Sequence, residues 1–226
     1  MKKIIVLSGA GISAESGLKT FRDSNGLWEG HDVMEVASPE GWFKNRALVL
    51  DFYNQRRRQL KTVKPNAAHQ ALVDLEKQFD VHIITQNVDD LHERAGSTKV
   101  LHLHGELLKA RSTSDEELVL DWHEDICEGD LCAKGSQLRP HIVWFGELVP
   151  LLEPAIELTA KADYIIIVGT SMQVYPAAGL INYAKPEAAI YFIDPHPNIT
   201  SQKNLKVISE KASKGIPIVV EDLLSK

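Results

Sequence analysis

The chain has 226 residues, 44% of them hydrophobic and 25% charged, a balance that suits one substantial domain with or without a small insertion. A formal net charge of -6 argues against nucleic acid as the main partner, because phosphate binding needs a basic face; only the run at 56–58 is locally basic. The apolar run behind Lys2 and Lys3 is shorter than the roughly seven to fifteen residues of a signal-peptide core, and nothing approaches the ~18 apolar residues of a membrane span. The chain therefore reads as cytoplasmic, with no membrane partner.

In chain order, the apolar runs 4–7, 81–85, 141–145, 164–169 and 189–194 read as buried strands, with 217–220 a weaker candidate. They are near-continuous rather than alternating, which suits a parallel sheet covered on both faces. Helical patterns lie between them. One runs over 39–60, with Ser38 as N-cap and Pro39 at its first position; another opens at Asn66, and two more cover 152–162 and 176–185. This alternation defines an α/β fold, a doubly wound parallel sheet. The polar stretch 111–140 carries turn residues and both cysteines, and reads as a small module inserted between two strands.

Gly9, Gly11 and Ala14 follow the first strand and fit the dinucleotide-binding pattern G-x-G-x-x-G/A. The glycines would let backbone approach a pyrophosphate, or merely form a tight turn. Ser16-Gly17 interrupts the expected helix, and Asp23-Ser24-Asn25-Gly26 is a turn cluster, so a long irregular loop follows. The turn Gly169-Thr170-Ser171, after the most apolar strand, would face the same crevice. Asp194 ends another strand, where it either accepts from ribose hydroxyls or starts the turn before Pro195.

Gln86, Asn87 and Asp89 bring two carboxamides and a carboxylate to a strand end, a set suited to recognising another carboxamide. Asp90 reads as a helix cap. In "LHLHGEL", His102 and His104 share a face if the segment is extended, and a neutral imidazole there can act as a general base. Metal binding is the rival reading, but no third ligand is spaced nearby; His102 reads as structural.

In order along the chain, "GAGISAESG", "TFRDSNGLW", "TQNVDDLHERAG", "LHLHGEL", "RPHIVWFGE", "VGTS" and "FID" resemble the motifs of the sirtuins, NAD-dependent protein lysine deacylases. The resemblance implies a Rossmann-like part of about 1–30, 66–110 and 139–226. It also implies a small module of about 31–65, helical, and 111–138, at the position of the family's zinc module. The implied reaction breaks the nicotinamide glycosidic bond of NAD and moves the acyl group of an acylated-lysine protein to ADP-ribose. A loop that closes over NAD accounts for the irregular stretch after the glycines, since water must be kept from a cationic sugar.

Residue by residue, the resemblance makes His104 and Asn87 catalytic, and gives the nicotinamide pocket to Asn87 and Asp89. Phe21 would pack over the nicotinamide end and Arg22 would hold phosphate. Gly9, Ala10, Gly11, Ser13, Ala14, Glu15 and Trp28 would line the NAD cleft on one side. Gln86, Val88, Gly169, Thr170, Ser171, Asp194 and Ala212 would line the other. Asp194 stands where the family usually has asparagine. Val143, Trp144, Phe145, Gly146 and Glu147 would pair with the substrate backbone as an added strand.

Tyr53 and Arg56 lie three apart on a helix and so share a face. A phenol and a guanidinium in an apolar pocket would bind a terminal carboxylate, which suits succinyl- or malonyl-lysine better than acetyl-lysine. The pair matches the Tyr-x-x-Arg signature of class III sirtuins, with Ala14 leaving acyl room. Arg57 and Arg58 read as a solvated face. Sirtuins usually carry four zinc-binding cysteines; here Cys127 and Cys132 stand alone, and two thiolates cannot complete a tetrahedral site. Completion by His123 and Asp130 is conceivable, but no structural zinc is expected. Packing around Leu118, Leu120 and Trp122 would hold the module instead. Two rival functions share the NAD site: an ADP-ribosyltransferase, and an inactive NAD- or acyl-lysine-binding module.

Overall fold

The computed structural model describes residues 1–19, 27–28 and 30–225. In chain order its elements are β1 (Lys3–Ser8), α1 (Gly11–Ala14), β2 (Leu27–Trp28), β3 (His31–Asp32), α2 (Val33–Val36), α3 (Pro39–Lys44), α4 (Arg46–Leu60), α5 (Ala67–Leu75), β4 (Asp80–Thr85), α6 (Leu91–Ala95), β5 (Val100–His102) and β6 (Gly105–Ser112). They continue with β7 (Val119–Asp121), β8 (Leu138–Ile142), α7 (Leu152–Thr159), β9 (Tyr164–Val168), a 3-10 helix (Ala177–Tyr183), β10 (Ala189–Ile193), β11 (Leu205–Ile208) and α8 (Ala212–Leu224).

Six strands form one parallel sheet in the order β11-β10-β9-β1-β4-β5. From β1 the chain fills β4 and β5 on one side, then β9, β10 and β11 on the other, so β1 sits at the switch point where open α/β sheets bind ligands. Pairing is level there: Ser8 sits opposite both Thr85 and Val168, and Thr85 opposite His102. Three loops therefore leave the sheet at one height.

Both sheet faces are covered. Ile4, Val6, Ile83 and Ile166 pack under α5 and α8, and Ile5, Leu7, Ile84, Ile165 and Ile167 pack against α7 and the 3-10 helix. Alternate residues of one strand supply the two cores, which is why the runs are apolar throughout. A third core joins α2 to α4 with the antiparallel sheet β7-β6-β8 and holds Phe52, Tyr53 and Trp144. Among the described residues no helix is long and apolar enough to cross a membrane.

Several sequence expectations need correction. Of 141–145, only His141 and Ile142 are strand, and they lie in β8, antiparallel to β6 rather than in the main sheet. Val143 N still bonds His104 O across from β6, and the ladder goes no further because the Trp144 amide is taken by the Glu147 carboxylate. Residues 217–220 lie within α8, where Ile216, Val219, Val220 and Leu223 recur at helical spacing on the buried face. The helix expected over 39–60 breaks at Asn45, whose side chain caps Leu48 N. Arg57 is fully buried rather than solvated: its Nε donates to Leu107 O at 3.0 Å and Nη1 to Asn54 Oδ1 at 2.7 Å. Arg58 is exposed and paired with Asp125. In the module Leu118 and Trp122 pack on the third core, whereas Leu120 is exposed and Ile126 and Cys132 are buried in its place.

Candidate active site

The loops after β1 and β9 cross in direct contact. Gly9 N donates to Val168 O at 3.0 Å and Gly11 N to Gly169 O at 2.8 Å. A Cβ on Gly9 would stand 2.7 Å from Gly169 O, and one on Gly169, at φ +64°, would stand 2.3 Å from Ile12 N. These glycines are needed for backbone to pass backbone. The amides of Gly9 and Gly11 are spent on these carbonyls. The helix after them is a single turn, α1, which ends at Ala14, and the chain turns away at Gly17 with φ +101°. Ala10 sits between the two crossing glycines; Ser13 is buried, and Ala14 and Glu15 are exposed. Glu15 accepts from Ser213 N at 3.0 Å and Ser213 Oγ at 2.7 Å, which ties this loop to the start of α8 beside buried Ala212. Phe21 and Arg22 lie outside the described residues.

The segment after β4 is held from several sides. Gln86 Nε2 donates to Thr170 Oγ1 at 3.1 Å, Asn87 Nδ2 to Ser13 Oγ at 3.2 Å, and Asn87 N to Thr85 Oγ1 at 3.0 Å. Val88 O accepts from Leu107 N. Asp89 accepts from Leu91 N at 3.1 Å; burial raises its carboxyl to about 6, against the bonds from Leu91 and Ser13 and the facing His102. Gln86, Asn87, Asp89, Ser13 and Thr170 are thus brought together. Thr170 Oγ1 also accepts from Met172 N, with Ser171 half-buried between them. Asp194, at the end of β10 beside Val168, accepts from His196 N at 2.8 Å, so it does start the turn.

The two histidines differ. His104 Nδ1 lies 3.1 Å from Gln86 O; a carbonyl only accepts, so Nδ1 carries the proton and Nε2 keeps its lone pair. Burial pushes the ring's pKa below 6.5, opposed by the Gln86 carbonyl. His102 contacts Asn87 O through Nδ1 at 3.0 Å and the Glu93 carboxylate through Nε2 at 2.7 Å. Burial works against its charge, but Glu93 outweighs burial and raises it. His104 is thus held through one ring nitrogen and His102 through both.

Tyr53 and Arg56 lie in the third core with Trp28, which sits there rather than with the loop crossing. Trp28 meets Phe52 edge-on at 5.0 Å and Tyr53 at 6.2 Å. Tyr53 is fully buried, accepts from Trp144 Nε1 at 3.0 Å, and is pushed up by desolvation, so it remains a neutral phenol. The Arg56 guanidinium lies over Phe52 at 3.5 Å and donates to Phe52 O at 2.8 Å. Of 143–147, Phe145 is partly exposed and Gly146 has φ +90°, while Trp144 is buried. The amides of Val143 and Phe145 bind His104 O and Ala37 O. Glu147 is gripped by Arg139 at 2.7 Å and Arg111 at 3.1 Å. Sequence reasoning missed Arg111, Arg139, Glu93, His92 and Ser8. Of these, His92, Glu93 and Arg139 lay inside quoted motifs, whereas Ser8 and Arg111 did not.

A doubly wound sheet whose switch point carries glycine turns, a buried carboxamide cluster and an oriented histidine is the frame of a nucleotide-consuming enzyme. The chain belongs to the Sir2 family, whose family model matches residues 9–176. It is 60% identical to an NAD-dependent protein deacylase of Helicobacter pylori strain ATCC 700392 / 26695, over all of this chain and 97% of that protein. It is 51% identical to one of Bacteroides thetaiotaomicron, over 96% and 95% of the two chains. Among solved structures it resembles a Sir2 homolog-NAD complex, with TM-score 0.88, 39% identity, and 99% and 90% of the two chains covered. A Sir2 protein bound to a myristoylated histone peptide matches with TM-score 0.74, 32% identity, and 99% and 92% covered.

Proposed function

We propose that the chain is an NAD-dependent protein lysine deacylase, with NAD as co-substrate and acylated-lysine proteins as substrates. The observation that carries this reading is the oriented His104, with a free Nε2 among the described residues, beside the Gln86-Asn87-Asp89 cluster at the switch point. The donor set fits NAD: a carboxamide needs both a donor and an acceptor, and Asn87 with the buried Asp89 offers both. NAD supplies a ribose whose bond to nicotinamide breaks as the acyl oxygen attacks. His104 Nε2 removes a ribose hydroxyl proton, while Asn87 and Asp89 orient the carboxamide. Gly9, Ala10, Gly11, Ser13, Ala14, Glu15, Gln86, Val88, Gly169, Thr170, Ser171, Asp194 and Ala212 line the cleft. Val143, Trp144, Phe145, Gly146 and Glu147 present the peptide.

The acyl group is succinyl or malonyl in preference to acetyl. Support comes from a buried phenol and a half-buried guanidinium on one face of α4, walled by Trp28, Phe52 and Trp144. Turnover of one peptide carrying either acetyl- or succinyl-lysine, compared by kcat/KM with and without Arg56→Met, is the test. A succinyl preference lost in the variant is expected; equal or better acetyl turnover in the wild type would remove the carboxylate pocket. The third core supports a division into a Rossmann-like part and a small module of 31–65 and 111–138 that leans on β6 and β8. A cytoplasmic location accords with the free thiols of Cys127 and Cys132.

A further inference from the structure

The short helix α6 reaches the site at two points. His92 Nε2 lies 3.0 Å from Ser8 Oγ at the end of β1. Glu93 Oε1 lies 2.7 Å from His102 Nε2, and the opposite nitrogen of that ring lies 3.0 Å from Asn87 O. A carbonyl only accepts, so Nδ1 of His102 bears a proton. An ionised carboxylate also only accepts, so Nε2 bears the second, and the ring is an imidazolium. His104, two residues on, makes the same Nδ1 contact to the preceding carbonyl but has no carboxylate at Nε2 among the described residues. One carboxylate thus splits two histidines of one segment into opposite charge states.

We propose that Glu93 is a positioning residue: acting through His102, it fixes the Asn87 carbonyl and holds a positive charge beside Asp89, and so orients the carboxamide pocket for NAD. The pocket's role rests on the function proposed above. The charged and titratable groups around His102 are Glu93 and His92 from α6, Asp89 after β4, and Glu106 with its partner Lys109 from β6. Asp90, Asp121 of β7 and His123 line a cavity of about 170 Å³ shared with His102 and Asp89, and Asp90 adds to the disfavour of the Asp89 carboxylate. Burial disfavours the Asp89 carboxylate and the His102 cation counters it. Without the charge of Glu93, His102 becomes neutral, and Asp89 takes up a proton at higher pH and can no longer accept fully from a carboxamide.

Glu93→Gln keeps the shape and removes the charge. In the full chain its KM for NAD is expected to rise roughly tenfold with kcat little changed. The acid limb of kcat/KM for NAD, measured between about pH 5.5 and 8.5, should move up by about one unit. Affinity for ADP-ribose, which lacks the carboxamide, should stay as in the wild type. Nitrogen NMR of labelled histidines should show His102 protonated on both nitrogens in the wild type at neutral pH and on one in the variant. The proposal is overturned by an unchanged KM and pH profile, by a singly protonated His102 in the wild type, or by NAD and ADP-ribose affinities falling together with Tm. A wild type without acyl-peptide turnover would sink the proposed function alone. The ring signal, and binding of NAD against ADP-ribose, would still decide the role of Glu93.

Discussion

The indole N–H of Trp144 donates to the phenol oxygen of Tyr53 across 3.0 Å, and both side chains are buried. An indole N–H can only donate, so the phenol accepts here and its own proton is left for another acceptor. Arg139, stacked at 3.3 Å over the Trp144 ring and bound to Glu147, holds the indole in place. Trp144→Phe should keep the fold at a cost of about 1 kcal/mol. It should lower kcat/KM for succinyl-peptide by roughly five- to tenfold while leaving acetyl-peptide nearly untouched. An equal fall for both peptides would mean that the bond serves only packing.

The two thiols predict metal content. Cys132 is buried and its Sγ contacts Ser112 Oγ at 3.2 Å, whereas Cys127 is exposed with its amide bound to Asp130. Among the described residues no three His, Cys, Asp or Glu side chains gather as a metal site. Ile126, Cys132 and Leu138 are buried together in the third core. Protein purified without chelator should carry well under about 0.1 mole of zinc per mole, and chelator should leave Tm unchanged. One mole per mole would overturn this.

The central strands β1, β4, β9 and β10 were legible because their inner residues are buried on both faces and so form short apolar runs. The edge strands β5 and β11 are short and partly exposed and left no such run. Pro217 made α8 resemble a strand, although its buried residues keep helical spacing. In the site, Gly9, Asn87 and His104 were readable because each sits in a local motif with its neighbours. Contacts such as Tyr53 to Trp144, separated by 91 residues, or Glu147 to Arg111 have no local signature. They exist only once β6, β8 and α4 share a core. Arg57 misled for the same reason: the Leu107 carbonyl that takes its Nε–H is 50 residues away in sequence and becomes visible only in the fold.

His104→Ala should lower kcat by roughly 10²–10⁴ while NAD still binds, as expected for loss of a general base. In the wild type the base form of His104 persists below pH 6.5, because burial depresses its pKa. Asp89 must also be ionised, and it titrates at about 6. The kcat/KM profile should therefore be flat above about pH 7 and fall through about 6. A profile that falls already from pH 8 would contradict both assignments.

Stability carries its own pH signature through His69 and His92, whose rings meet at 4.9 Å, with His69 Nε2 and His92 Nδ1 lacking a hydrogen-bond partner among the described residues. Burial lowers His69 to about 4 and His92 well below 6.5. Both are depressed bases, so between pH 6.5 and 4 the unfolded chain binds protons that the folded chain refuses. Their contribution is constant above pH 6.5 and is lost as pH falls; His69 alone forfeits about 2 kcal/mol by pH 5. Asp89 acts in the opposite sense. Its folded value is raised, so its contribution grows as pH falls through about 6 and offsets part of the histidine loss. The wild-type curve alone is therefore ambiguous, and the difference between wild type and His69→Gln isolates the ring. Urea unfolding at pH 7.5 and 5 should show the variant losing about 2 kcal/mol less over that interval than the wild type. Parallel curves would mean that His69 takes its proton in the folded state as readily as in the unfolded one.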